Sequence, residues 1–305
     1  MGTKPKRRHP KRSLVIRVDG RVVDDALGSI HPAQSVDSPW VGQLLMLHRR
    51  VRDAVKESAR AASGTRNSKG DDVKLFDLAA NDAALDFLRK LQLPVVVDSE
   101  ESGHHEIGSG TPQHRLVLDP VDGSDNWARG LPLSALSCAV LPVDAPLHPD
   151  WVEAALVGQI EKETPLIAIK GSGAWCGQKR LRTSGVRDVA GAMISVELNH
   201  HSPSPALARL MAAATGVRCY GCASGAISLV AEGASDAHVD ARGRLTAESY
   251  LAAARLVIEA GGWVVGLDGA SLAAPENLTD RLGLVAASSR ELCDKIVAVL
   301  SHGRH

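Results

Sequence analysis

The run Asp119-Pro120-Val121-Asp122-Gly123-Ser124-Asp125-Asn126-Trp127 constrains this chain more than any other stretch. It follows Arg115-Leu116-Val117-Leu118, a segment that reads as a strand and would hold a turn rigid at its carboxyl end. Two carboxylates stand three residues apart, with a proline and a backbone carbonyl between them, and a glycine and a hydroxyl follow. Pro, Asp and Gly are the commonest turn formers, so an isolated segment of this kind reads as a surface β-turn. At a strand end, the same residues present Asp119, the Val121 carbonyl and Asp122 from one side. Hard divalent cations such as Mg²⁺ require oxygen donors in that kind of array. The backbone N–H groups of Gly123 and Ser124 would cradle a phosphate at the same turn.

The chain has 305 residues, 44% of them hydrophobic, enough for a large core in one or two domains. Thirty-five basic and thirty-five acidic side chains cancel, so no global field draws it to nucleic acid or anionic membrane. Aromatics, at 3%, are too few for a single-strand stacking platform. No stretch reaches the length of a transmembrane helix, and the basic arm from Lys4 to Arg12 lacks a signal-peptide core after it. A cytoplasmic protein is the expectation. The five cysteines are scattered and odd in number, which fits reduced thiols. Cys219-Tyr220-Gly221-Cys222 is formally CxxC, but without a second pair it reads as two buried thiols.

Residues 1–38 read as an extension, with a β-hairpin of 14–18 and 21–23 across Asp19-Gly20. Residues 39–190 form an α+β half and 191–305 an α/β half. In the first half, helices are expected at 40–62, with Leu44, Leu47, Val51 and Val55 on one stripe, and at 75–91, with Leu78, Leu85 and Leu88 inward. Strands are expected at 95–97, 115–118, 133–142 and 166–169, with the Gly- and His-containing stretch up to Gln113 a loop. In the second half, strands at 193–196, 217–220 and 237–240 alternate with helices at 205–215, 226–232 and 247–260. The pairs His104-His105 and His200-His201 lie in polar, loop-like context and read as solvated.

The run from Asp119 to Trp127 closely resembles the DPIDGTxNF signature of the inositol monophosphatase family, Mg²⁺-dependent phosphomonoesterases that include archaeal-type fructose bisphosphatases. Val121 stands for Ile, Ser124 for Thr and Trp127 for Phe. Ser99-Glu100-Glu101-Ser102 is similar to the family's GEES, with Ser for Gly, and Glu259-Ala260-Gly261-Gly262 to its EAGG. The resemblance covers roughly residues 40–295 and implies a layered αβαβα sandwich of the sugar-phosphatase superfamily. It implies that Glu100, Asp119, the Val121 carbonyl and Asp122 hold Mg²⁺. It also implies that an acidic residue orients the attacking water through Ser124. Asp82 aligns best with that residue and Asp77 competes. Substrate contacts are implied at Gly123, Ser124, Ala223 and Asp240, the last in an Asp-x-Arg-Gly form closer to the archaeal-type branch. The substrate would be a small polyol or sugar phosphate, with fructose 1,6-bisphosphate and a nucleotide 3′-phosphate as alternatives. Family members are commonly dimers, so a homodimer is also an expectation.

Counting back from EAGG places Ser249 where the family carries an aspartate for a second metal. A neutral hydroxyl is a much poorer Mg²⁺ ligand than a carboxylate. Glu248 is adjacent, but neighbouring helix residues point about 100° apart, and a first-turn acid also serves the helix dipole. The departure supports a second expectation, a catalytically impaired or regulatory homologue that binds a phosphorylated ligand.

Overall fold

A computed structural model describes residues 16–18, 21–23, 38–66 and 72–301. β1 (Ile16–Val18) and β2 (Arg21–Val23) pair antiparallel with Val18 opposite Arg21, the hairpin expected there. Its turn, the basic arm and the polar stretch 67–71 lie outside the described residues.

α1 (Trp40–Glu57) carries Leu44, Leu47, Val51 and Val55 on its buried stripe and ends earlier than the expected residue 62. β3 (Ala62–Arg66) and β4 (Asp72–Lys74) form a small hairpin that leads directly into α2 (Leu75–Leu91). α2 buries Leu85 and Leu88, but Leu78 is 37% exposed, against expectation. The helix turns Phe76 and Asp77 inward at its first turn, which leaves Leu78, about 100° further round, at the solvent edge.

The strands β5 (Val95–Ser99), β6 (Gly103–Ile107), β7 (His114–Asp122), β8 (Ala135–Pro142), β9 (Ala154–Gln159), β10 (Leu166–Ile169), β11 (Gly173–Cys176) and β12 (Lys179–Arg180) form one sheet. Its order is β12-β11-β10-β9-β8-β7-β5-β6. The stretch read as a loop thus supplies an edge strand, β6, paired antiparallel with β5. Its alternation of buried and open positions is short and interrupted by histidines, which hid it. A short α3 (Ser124–Ala128) follows the Asp119 turn.

The second half contains β13 (Met193–Val196), α4 (Pro205–Ala213), β14 (Gly216–Arg218), α5 (Ala223–Ala231), β15 (Ala237–Leu245) and α6 (Ala247–Glu259). β16 (Trp263–Gly266), β17 (Leu282–Ala287) and α7 (Arg290–Ser301) complete it. Its sheet runs β14-β13-β15-β17-β16, parallel among the first three strands and antiparallel beyond.

Three apolar clusters define the layers. The first packs Leu44, Phe76 and Leu88 of α1 and α2 on Leu116 and Leu156 of the large sheet. The second packs the other face of that sheet, through Val117 and Ala155, on α5 and α6, which also cover Leu284 and Ala286 of the small sheet. The third sets Leu207 of α4 and Ile296 of α7 on the outer face of the small sheet, against Ile194 and Val285. The result is helix, sheet, helix, sheet, helix. α5 and α6 are buried on both sides, which is why α5 is almost wholly apolar and small and why even Glu248 and Arg255 of α6 are buried.

Candidate active site

β5 and β7 are parallel neighbours with Ser99 opposite Leu118, so their carboxyl ends bring Glu100 beside Asp119. The Glu100 N–H donates to the Leu118 carbonyl at 2.9 Å and fixes that placement. The carboxylate of Asp119 accepts the N–H of Val121 at 3.1 Å, closing the turn on itself. Gly123 has φ of 82°, and a Cβ there would sit 2.9 Å from both the Cys222 Cβ and the Leu133 carbonyl oxygen, so the turn requires glycine. Asn126 donates to the carbonyls of Leu133 at 2.9 Å and Tyr220 at 2.7 Å, tying the turn to the second half of the chain. Glu100, Asp119, Val121, Asp122, Gly123, Ser124 and Ala223 all line a single cavity of about 510 Å³.

The structure separates the two candidates for the acidic partner of Ser124. Asp82 is exposed and lies outside the cavity, a correction to the better alignment. Asp77 is 1% exposed and lines the cavity. It accepts from the Ser124 hydroxyl at 2.7 Å and from the Lys74 N–H at 2.9 Å. The Ser124 hydroxyl also lies 3.0 Å from the Val121 carbonyl. Burial raises the pKa of Asp77 above the usual carboxylate value, the hydrogen bonds from Lys74 and Ser124 oppose the rise, and the charge of Glu100 adds to it. Lys74 has a second role, pairing its ammonium with Asp125 at 2.8 Å.

Asp240 also departs from expectation. Its carboxylate is fully buried, does not line the cavity, and is held by the guanidinium of Arg242 through Nε at 3.1 Å and an Nη at 2.6 Å. Arg242 is the member of that pair that faces the cavity. Cys222 is buried, but Cys219 is exposed, so the CxxC is not a pair of buried thiols. Each thiol donates to a cavity carboxylate, Cys222 to Asp122 at 3.4 Å and Cys219 to Glu197 at 3.6 Å. All five cysteines are free. His200, read as merely solvated, is exposed and borders the cavity. Glu101 of the Ser99–Ser102 segment also reaches the cavity, as do Lys74, Glu197, Arg244 and Arg281, which no local signature singles out.

At the first turn of α6, Ser249 is half-buried and lines the cavity, whereas Glu248 is 2% exposed and does not. The Glu248 carbonyl accepts from the Ser137 hydroxyl at 2.8 Å, which anchors this turn to β8. The one-residue rotation along the helix therefore directs the carboxylate away, and a hydroxyl stands at the cavity wall.

The donor set has the composition a hard cation needs: the carboxylates of Glu100, Glu101, Asp119 and Asp122 and the Val121 carbonyl share one cavity. Burial raises the pKa of Asp122, hydrogen bonds from Ser224 oppose this, and the charge of Glu100 adds to the rise. Such crowded, buried anions are what a divalent cation neutralises. Among the described residues no three His, Cys, Asp or Glu side chains are already gathered into a metal cage. The Oδ2 of Asp122 accepts from the Ser224 N–H at 2.5 Å and the Ser224 hydroxyl at 2.6 Å.

Five alternating layers, with an acidic cavity where two parallel strands end, define a layered αβαβα sandwich of the inositol monophosphatase fold. Extragenic suppressor protein suhB from Bartonella henselae superposes with a TM-score of 0.69 at 24% identity, over 86% of this chain and 97% of that one. The chain belongs to the inositol monophosphatase family, whose model matches residues 36–303. It is 30% identical over 278 residues to a fructose-1,6-bisphosphatase/inositol-1-monophosphatase of Methanothermobacter thermautotrophicus, covering 86% of this chain and 96% of that relative. The protein with the same description from Methanocaldococcus jannaschii is 28% identical over 231 residues, 76% of this chain and 86% of its own length. Among the described residues no helix is long and apolar enough to cross a membrane.

Proposed function

We propose that this protein is a Mg²⁺-dependent phosphomonoesterase that hydrolyses a small polyol or sugar phosphate. The observation that carries the reading is the joint placement, on one cavity, of Glu100, Asp119, the Val121 carbonyl and Asp122 with the Asp77–Ser124 pair. The first four residues would hold Mg²⁺, which when bound supplies Lewis acidity toward the phosphoryl group and toward water. Asp77, held by the Lys74 N–H, takes the Ser124 proton and leaves the hydroxyl lone pairs for the attacking water. A carboxylate with a raised pKa is closer to the range in which it can share that proton. The N–H groups of Gly123 and Ser124, at the amino end of α3, would meet the phosphate, and Ala223 borders the same cavity at the amino end of α5, whose Ser224 N–H is given to Asp122. The relatives' names, inositol monophosphatase and fructose-1,6-bisphosphatase, support a polyol or sugar phosphate as substrate.

Phosphate release over a panel of polyol, sugar and nucleotide 3′-phosphates, with Mg²⁺ titrated to saturation, tests this. Turnover that is lost on chelation, restored by Mg²⁺ and abolished in Asp122→Asn supports it. Absence of turnover on every substrate at saturating metal sinks it. Ser249 favours a second reading, a phosphorylated-ligand binder with little or no turnover, because the cavity wall there offers a neutral hydroxyl. Under that reading, substrates of the panel bind to the Mg²⁺-loaded protein without being hydrolysed.

A further inference from the structure

The cavity carries charge of both signs. Carboxylates come from the ends of β5 and β7, from α2 and from Glu197 after β13, and Arg242, Arg244 and Arg281 bring guanidinia to the same space. Arg242 is engaged by Asp240. Arg244 and Arg281 are exposed, and among the described residues neither makes an ion pair. Leu245 of β15 pairs with Leu282 of β17, so the two arginines flank that pair on adjoining antiparallel strands. Arg244 is the last residue but one of β15 and Arg281 immediately precedes β17, and both reach the cavity beside Leu245. The same register brings Arg281 alongside Thr246, the residue that caps α6, three positions before Ser249. The side of the cavity with a hydroxyl in place of a carboxylate is therefore also the side that carries fixed positive charge.

We infer that Arg244 and Arg281 are substrate-binding residues that grip the phosphoryl oxygens within the cavity the carboxylates share. They provide by guanidinium the charge that a further cation beside Ser249 would otherwise supply. A phosphomonoester dianion offers three non-bridging oxygens, and the planar guanidinium fork matches two of them at once. A divalent ion beside Ser249 would have no carboxylate there to hold it and would face the charge of Arg281, so fewer ions are needed and fewer are tolerated. The inference rests on the phosphatase reading of the cavity, but its test does not require turnover.

The test uses the full chain. Inorganic phosphate is titrated calorimetrically into the Mg²⁺-saturated protein, and bound Mn²⁺ per chain is counted by electron paramagnetic resonance. Arg244→Ala and Arg281→Ala are each expected to weaken phosphate binding roughly tenfold or more, the loss of one charge-assisted contact. Arg281→Lys, which keeps charge without the fork, should fall between the wild type and Arg281→Ala. The Mn²⁺ count should be unchanged in all three and should rise by one ion in Ser249→Asp/Arg281→Ala. Both arginines are exposed, so folding is not at risk. Phosphate affinity indifferent to both alanine changes would overturn the inference, as would a wild-type Mn²⁺ count already equal to that of the double variant. A protein that binds phosphate through these arginines yet hydrolyses nothing would sink the phosphatase reading and leave this one standing.

Discussion

Replacing Asp77 with asparagine changes the direction of one hydrogen bond while keeping its length, and the catalytic consequence can be sized from the contacts. The carboxylate accepts from two donors, the Ser124 hydroxyl at 2.7 Å and the Lys74 N–H at 2.9 Å. An amide has one oxygen. If that oxygen stays on the Lys74 N–H, the amide N–H₂ faces Ser124 and donates into the lone pair that should receive the proton of water. The Ser124 proton then turns to the Val121 carbonyl, already 3.0 Å away. Losing positioned proton acceptance costs about 10²- to 10⁴-fold, which at 1.36 kcal/mol per tenfold is about 3–5 kcal/mol of barrier. Folding should hardly suffer, because burial already disfavours the charge that asparagine removes. The assay is kcat for phosphate release at saturating Mg²⁺, with thermal unfolding followed in parallel. Ser124→Ala should lose a similar factor, and the double variant no more than the worse single one, since the pair acts as a unit. Asp82→Asn, at an exposed position, should stay within about twofold of wild type. The reasoning is refuted if Asp77→Asn retains kcat within about fivefold while folded, or if Asp82→Asn falls as far.

Other consequences can be checked together. His48 and His238 are each 1% exposed, and burial lowers the pKa of both to about 4. The unfolded chain therefore takes up protons between pH 6.5 and 4 that the folded chain refuses. Stability is full above 6.5 and falls with pH, by about 3 kcal/mol per histidine at the lower limit. Urea unfolding at pH 7.5 and 4.5 measures the drop, and His238→Gln should reduce it by roughly half the combined histidine contribution. Tyr250 is fully buried and, among the described residues, its hydroxyl has no hydrogen-bond partner. Tyr250→Phe should thus be neutral or stabilising by up to about 1 kcal/mol, and a clear fall in Tm would contradict it. Gly123→Ala meets positive φ and two contacts at 2.9 Å. A loss of at least about 2 kcal/mol is expected, with phosphate release lost as well, and an unchanged Tm would show that the turn relaxes freely.

The anionic wall was legible because it is local. Asp119, Val121, Asp122, Gly123 and Ser124 occupy one turn, and Glu100 is brought beside them by pairing of two apolar strands. The choice between Asp77 and Asp82 turned on helix rotation. The residues buried on α2 include Ala80 and Ala84, and Asp82 lies about 200° from each, on the far side, whereas Asp77 lies within about 60° of Ala80. The leucine stripe of Leu78, Leu85 and Leu88 expected from the sequence runs beside Asp82 instead, so the face that selects Asp77 emerges only with the burial of Ala80 and Ala84. Asp240 offered no such handle. Ala237, His238, Val239 and Asp240 are all buried, because β15 is covered on both faces, so alternation does not tell which side chain meets the site. Arg281 was less legible still. It reaches the cavity only because Leu282 pairs with Leu245, a contact between distant segments that leaves no spacing or composition signal. The two charge sets thus arise at different levels. A motif specifies the carboxylates of the turn almost by itself, but the meeting of Arg244 and Arg281 depends on sheet register. A one-residue slip of β17 against β15 would carry Arg281 to the other face while Arg244 kept its place, parting the two guanidinia.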